Sequence, residues 1–287
     1  MDVSVVVPAY NAARYLPACL DALVGQELPR DHYEVIVVDN NSRDRSADII
    51  RGYPEVCLLA EPKQGSYAAR NRGLRQAQGA VIAFTDADCV PTPDWLARIV
   101  AGMADAEVGI LVGTRSAAGP SRMASLLAAY ADERHRYIVS QGDPSLYYGH
   151  TNNLAVQRDL FSALGPFVEG PRGSDAIFVH QAVKHFGTNL VRFAPELSVR
   201  HLELDGMLVS YRKAFLYGLS RRRYRRMAPV RGFTAREKAR VLRQTVENRA
   251  GTPLDSVLLT VLLAGASICH ALGYAVGDVV PRPVAEW

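Results

Sequence analysis

The sequence predicts an α/β fold, with a mainly parallel sheet flanked by helices and a basic helical C-terminal extension. Three observations carry that expectation. Short β-branched runs alternate with segments of helical spacing over residues 3–113. Asp86 and Asp88 leave the end of the apolar run Val81–Phe84, and open α/β sheets bind ligands at the carboxyl ends of their strands. After Leu202 the composition turns basic. Arg212–Arg249 holds thirteen Lys and Arg against two Glu, a net of +11 in a chain whose formal net charge is +4.

The elements follow in order. Val3–Val7 is the first strand, broken by Tyr10-Asn11. Leu16, Leu20, Leu23 and Val24 then fall at helical spacing, with Pro17 in the first turn. Val35–Val38 is the second strand, and Ser42 is placed to cap a helix carrying Ile49 and Ile50 inward. Val56–Ala60 is the third strand. Ser66 is placed to cap a helix running to Ala77, which Gly79 ends. Val81–Phe84 is the fourth strand. Thr92-Pro93-Asp94 reads as the start of a helix over Trp95–Met103, and Val108–Gly113 is a fifth strand. Beyond it the spacing predicts a helix around Met123–Ile138. Another runs over Asp175–Phe186, capped by Ser174 and closed by Gly187, with Ile177, Phe178, Val183 and Phe186 on its apolar face. The units implied are 1–205, divided into halves 1–115 and 116–205, and a helical extension 206–287.

Composition narrows the function classes. The chain has 287 residues, 48% hydrophobic and 22% charged, enough for one large core. Cys19, Cys57, Cys89 and Cys269 are far apart and form no Cys-x-x-Cys pair. They read as reduced, buried small hydrophobes in a reducing compartment. No basic stretch precedes Val3, so no signal peptide is expected, and the localisation expected is cytoplasmic. No G-x-G-x-x-G follows the first strand, which argues against a dinucleotide oxidoreductase. Pro8-Ala9-Tyr10-Asn11 also lacks the glycines of a pyrophosphorylase signature loop.

Four segments recur at strand ends or helix starts: Val5-Val6-Val7-Pro8-Ala9-Tyr10-Asn11, Val37-Val38-Asp39-Asn40-Asn41-Ser42, Gly65-Ser66-Tyr67-Ala68-Ala69-Arg70-Asn71-Arg72-Gly73, and Phe84-Thr85-Asp86-Ala87-Asp88. In this order, over roughly residues 3–203, the chain resembles family 2 glycosyltransferases of the GT-A, Rossmann-like fold. The resemblance implies an inverting, metal-assisted transfer from a nucleotide sugar, UDP- or dTDP-linked by preference, to a glycan, a lipid-linked glycan or a small molecule. It assigns the nucleotide sugar to Pro8, Ala9, Tyr10, Asn11, Asp39, Asn41, Gly65, Arg70, Asn71, Asp86 and Ala87. Within that set Asp39 accepts a base N–H and Asp86 contacts the ribose. Asp88 and His201 are the implied ligands of Mn²⁺ or Mg²⁺. Asp175 is the implied general base, since an inverting transfer needs one carboxylate to take the acceptor hydroxyl proton. The family usually has an acidic pair here, and Ser174 stands in place of the first acid. Trp95, His150, Asn152, Asn153 and Ser174 are the implied acceptor side.

The C-terminal third lies outside the resemblance. Ser256–Gly277 contains no Asp, Glu, Lys or Arg. Such a stretch can span a bilayer, lie in its interface, or be buried in the body or in a homodimer. Ser220–Arg226 is strongly basic and suits anionic lipid on the inner face of the cell membrane. No nucleic-acid partner is expected, because no recognised binding module accompanies the arginines. The competing reading is a non-catalytic scaffold that binds a sugar nucleotide, suggested by the acid missing before Asp175.

Overall fold

The computed structural model describes residues 1–117, 119, 121–170, 172–203, 207–227 and 229–279. Eight strands form one sheet: β1 (Val3–Ala9), β2 (Tyr33–Asp39), β3 (Val56–Ala60), β4 (Val81–Thr85), β5 (Cys89–Pro91), β6 (Ile110–Ala117), β7 (Asn153–Gln157) and β8 (Val191–His201), in the order β3-β2-β1-β4-β7-β6-β8-β5. Every residue of β1 is buried, as a strand covered on both faces requires. Strands β3, β2, β1 and β4 are parallel, with Val5 opposite both Val35 and Ala83. β7 then runs antiparallel to both β4 and β6, while β6 and β8 are parallel. β5 pairs antiparallel with the end of β8, setting Cys89 opposite His201.

Ten helices flank this sheet among the described residues. They are α1 (Leu16–Val24), α2 (Ser46–Arg51), α3 (Ser66–Gln76), α4 (Trp95–Met103), α5 (Arg122–Gln141), α6 (Arg158–Leu164), α7 (Ser174–Phe186), α8 (Met207–Tyr224), α9 (Ala235–Asn248) and α10 (Pro253–Val276). Val3, Val5 and Val7 of β1 pack on one side with Leu16, Leu20 and Trp95. On the other side Val6, Ile82 and Phe84 pack with Leu126, Phe178, Val241 and Leu259. Helices α9 and α10 of the C-terminal extension therefore share the second core layer, through Val241, Val246 and Leu259. The expected boundary at 205/206 falls outside the described residues, and β6 runs across the expected division at 115/116.

Three expected caps are corrected. Ser42 lies too early for α2, and its hydroxyl accepts from the Asn11 N–H (3.0 Å). Ser66 is the first residue of α3 and follows Gly65, whose φ of 139° only glycine adopts readily. Ser174 likewise opens α7 after the left-handed Gly173 (φ 88°). In each case the turn preceding the helix, not a serine hydroxyl, sets its start. For α4 the N-cap is Asp94. Only Cys19 and Cys89 are buried; Cys57 is exposed and Cys269 intermediate, and all four are free thiols. The expectation of four buried cysteines fails for Cys57 because β3 is an edge strand.

Candidate active site

The ends of β1, β2 and β4 converge on one edge of the sheet. Ala9 sits opposite Asp39. Pro8 and Ala9 are buried, Tyr10 is half-buried and Asn11 exposed. Asn11 (φ 48°) and Asn41 (φ 63°) both occupy the left-handed region, which asparagine tolerates better than most residues. The Asn11 side-chain oxygen accepts from Arg43 N–H (2.8 Å), and the Asn41 amide donates to Pro62 O (2.7 Å). The buried Asn40 knits this edge together. Its amide donates to Glu61 O and Lys63 O, and its oxygen accepts from Gly65 N–H (2.7 Å). Asp39 Oδ1 is buried with no partner among the described residues. A buried carboxylate oxygen is costly unless something donates to it.

A connected chain of groups runs from Asp86 to Asp175. Arg70 is buried on α3, and its Nη2 lies 2.5 Å from Asp86 Oδ1. The guanidinium sits 5.1 Å from the centre of the Tyr67 ring. Tyr67 OH accepts from Asp175 N–H at 3.4 Å. The Asp175 carboxylate is buried at the start of α7, accepting from Thr151 N–H (3.1 Å), Thr151 Oγ1 (3.4 Å) and Ala176 N–H (2.8 Å). Burial pushes its pKa above the usual carboxylate range, while Thr151 and Arg70 pull the other way. Sequence reasoning missed Tyr67 and Thr151 as parts of this chain. Tyr67 does lie within the quoted Gly65–Gly73 segment, but its contact with Asp175 exists only after folding.

Asp88 and His201 meet across the β5–β8 pairing. His201 Nε2 lies 3.5 Å from Asp88 Oδ2. Cys89 Sγ lies 3.6 Å from Asp88 Oδ1, and the ligand atoms of all three lie within 4.8 Å of one another. Burial lowers His201 to about 4, so its ring is neutral near neutral pH, and its Nδ1 accepts from Glu203 N–H (3.3 Å). Burial, then the neighbouring Asp86 carboxylate, pushes Asp88 up to about 7. The Cys89 thiol is raised well above its usual value by burial and stays protonated. A carboxylate and a neutral imidazole at this spacing fit a divalent cation of the Mn²⁺ or Mg²⁺ type.

Several expected acceptor-side residues are structural instead. Trp95 is completely buried, and its indole N–H donates to Asn153 Oδ1 (2.9 Å). The Asn153 amide donates to Thr114 O (2.7 Å) and Leu197 O (2.8 Å). Gly113 leaves room for it, since a Cβ there would sit 2.3 Å from Asn153 Nδ2. Asn71, expected at the nucleotide, is spent on the segment after α6: its amide meets Phe167 O and Glu169 Oε1, and its oxygen takes Phe167 N–H. Ser174 is fully enclosed, and its Oγ has no partner among the described residues. Asn152 keeps a buried side-chain oxygen with no partner among the described residues. Half-buried His150 packs against His135, ring centres 4.4 Å apart.

Helix α8 roofs the site. Ser220 Oγ accepts from Arg172 N–H at 2.7 Å. Tyr224 lies directly on Gly173, where a Cβ would come within 2.9 Å of its hydroxyl. Nothing in the basic composition of this segment signalled that it covers Asp175.

The fold and this arrangement of carboxylates define a GT-A type sugar-nucleotide domain. The model of glycosyl transferase family 2 matches residues 4–165, and the chain belongs to that family. It is 34% identical over 172 residues to the glycosyltransferase AglE of Haloferax volcanii, covering 58% of this chain and 55% of the relative. It is 27% identical over 169 residues to the putative glycosyltransferase EpsH of Bacillus subtilis, covering 56% and 48%. The chain thus spans about half the length of these curated relatives. Among solved structures it resembles the mannosyltransferase PcManGT of Pyrobaculum calidifontis in complex with GDP-Man and Mn²⁺. There the TM-score is 0.63 at 23% identity, covering 95% of this chain and 77% of that one. It also resembles glucosyl-3-phosphoglycerate synthase of Mycobacterium tuberculosis in complex with Mn²⁺, UDP-glucose and phosphoglyceric acid, with a TM-score of 0.58 at 17% identity, covering 80% and 81%. At these identities the structural likeness speaks for the fold.

Proposed function

We propose that this chain is an inverting glycosyltransferase that moves a sugar from a nucleoside diphosphate sugar to an acceptor hydroxyl. One observation carries the reading: the chain Asp86–Arg70–Tyr67–Asp175 links the acid at the end of β4 to a buried carboxylate of raised pKa at the start of α7. Asp39 Oδ1 takes the base N–H, which favours a UDP- or dTDP-sugar. Asp86, oriented by Arg70, takes the ribose. Asp88 and His201 hold Mn²⁺ or Mg²⁺, which when bound neutralises charge on the diphosphate leaving group. Asp175 removes the proton from the acceptor hydroxyl as its oxygen attacks the anomeric carbon and the diphosphate leaves; the raised pKa makes this carboxylate a stronger base than an ordinary one. Asn152 and His150 remain as acceptor-side groups. The acceptor is a glycan, a lipid-linked glycan or a small molecule, met on the cytoplasmic side.

The test is a thermal-shift panel of UDP-, dTDP- and GDP-sugars, with and without Mn²⁺, followed by assay of nucleoside diphosphate release with candidate acceptors. The reading requires a shift with one nucleotide class that grows when Mn²⁺ is added. No shift with any nucleotide sugar would remove it.

A further inference from the structure

Helix α10 has no charged residue from Ser256 onward, yet it is not a core helix. Leu254, Val257, Val261, Ile268 and Leu272 are each between 57% and 61% exposed. At about 100° per residue they fall within one stripe about 60° wide. On the opposite side Asp255, Leu259, Leu262 and Gly273 are buried. That docked side begins in the first turn, where Asp255 pairs with Arg122 (2.8 Å). It continues to Gly273, whose Cβ position lies 2.0 Å from Phe215 O of α8. A helix fastened over about 27 Å of its length lies along the body and cannot cross a bilayer on its own. Nor can it cross together with α8, which carries Arg212, Lys213 and Arg221–Arg223.

The C-terminal end of α10 lies beside a basic cluster at the end of α8. Arg222, Arg223, Arg225 and Arg226 surround a recess of about 290 Å³ with a single acid, Asp278. Arg222 reaches Asp278 (2.6 Å) and covers the Tyr274 ring (5.2 Å) at the last turn of α10.

We propose that α10 docks in the plane of an anionic bilayer surface, with its apolar stripe at the headgroup–acyl boundary and the arginine recess on lipid phosphates. An apolar face beside clustered arginines matches both parts of such a surface. A second copy of the chain fits less well, because a shared α10 face would bring together two segments that each carry a net +11. The proposal is independent of the catalytic reading, and its test has no activity readout.

The experiment is flotation of the full chain with phosphatidylcholine vesicles, with and without about 30% phosphatidylglycerol, at about 0.1 M and about 1 M NaCl. Binding should be at least about tenfold tighter to the anionic vesicles and should weaken at high salt. It should drop by a similar factor in Val261→Asp/Ile268→Asp and, separately, in Arg225→Gln/Arg226→Gln. Both variants change exposed or partly exposed positions, and circular dichroism checks that they fold. Four outcomes overturn the proposal: equal binding to neutral vesicles; resistance of bound protein to carbonate extraction, which would mean a spanning helix; binding abolished by inorganic phosphate yet unaffected by Val261→Asp/Ile268→Asp; or no vesicle binding alongside a dimer that this double variant dissolves.

Discussion

His201 Nε2 stands 3.5 Å from Asp88 Oδ2, across the short antiparallel pairing of β5 with β8. The two residues are far apart in the chain, and only the return of β8 to the end of β6 brings them together. Burial acts on them in opposite senses, lowering His201 to about 4 and raising Asp88 to about 7. A raised carboxyl contributes its stability below its unfolded value and loses it as pH rises through about 7. The lowered His201 contributes above its unfolded value and loses that as pH falls toward about 4. A cation at Asp88 should relieve the cost of ionising it. The rise in melting temperature caused by Mn²⁺ should therefore grow between about pH 6 and about pH 8. Asp88→Asn should flatten that pH dependence. Scanning fluorimetry over this range checks it, and a Mn²⁺ effect independent of pH in the parent chain would count against Asp88 as a ligand.

Asp175→Asn isolates the base. The asparagine oxygen can still accept from Thr151 N–H, so the start of α7 should survive. Transfer should fall by about 10² to 10⁴-fold, the usual contribution of a positioned general base, while nucleotide binding stays intact. In the parent enzyme the rate should rise with pH through a carboxyl pKa above the ordinary value, because the ionised form is the active one. Full transfer by Asp175→Asn would reassign the base.

Arg70→Ala should damage both stability and the donor site. Arg70 is enclosed, and its Nη2 pairs with Asp86 at 2.5 Å. Asp86 is 31% exposed, so water partly compensates for the lost partner. The cost expected is about 1–2 kcal/mol, read by urea denaturation. Nucleotide affinity should drop by about tenfold as Asp86 loses its orientation. Arg70→Lys should recover only part of this, because an ammonium cannot cover the Tyr67 ring while reaching Asp86 in the same geometry. Unchanged nucleotide affinity in Arg70→Ala would separate Arg70 from the donor site.

Asn153→Ala should behave as a core lesion. It would strand the buried Trp95 N–H and take the Asn153 donor from Thr114 O, while Leu197 O keeps the Thr114 hydroxyl (3.3 Å). The expected loss is about 2–4 kcal/mol, with the KM for the acceptor unchanged in whatever fraction remains folded. A raised acceptor KM at full stability would return Asn153 to the acceptor side.

Asn153 also shows where the sequence stopped being legible. The parallel strands and their terminal carboxylates could be read locally, since β-branched runs and the acids that end them lie within a few residues of each other. Asp39, Asp86, Asp88 and Asp175 accordingly sit at strand ends or a helix start. The antiparallel β7 left no such mark. Its five residues begin with an asparagine that looks like a loop residue until Trp95, Thr114 and Leu197 surround it. Asn71 and Trp95 misled in the same way, because whether a polar group is satisfied depends on partners distant in the chain. Cap positions failed for a more local reason. Gly65 and Gly173 supply turns that make the serine hydroxyls unnecessary.

The contact between α8 and α10 allows the last prediction. A Cβ on Gly273 would meet Phe215 O at 2.0 Å, and one on Gly218 would meet His270 O at 2.1 Å. Both obstacles are backbone, so no rotamer change can clear them. Gly273→Val must push α10 away from α8, at a cost of about 1–3 kcal/mol or more for overpacking. The effect should not stay local. Through Ser220, α8 holds Arg172 N–H, and through Tyr224 it covers Gly173, two residues before Asp175. Transfer should therefore fall in Gly273→Val even though Gly273 touches none of the carboxylates. Gly232→Ala, with open space at its Cβ, is the control and should change neither stability nor rate. Calorimetry and initial-rate assays on the two variants decide it, and a Gly273→Val protein with full activity would show that the roof over Asp175 does not depend on α10.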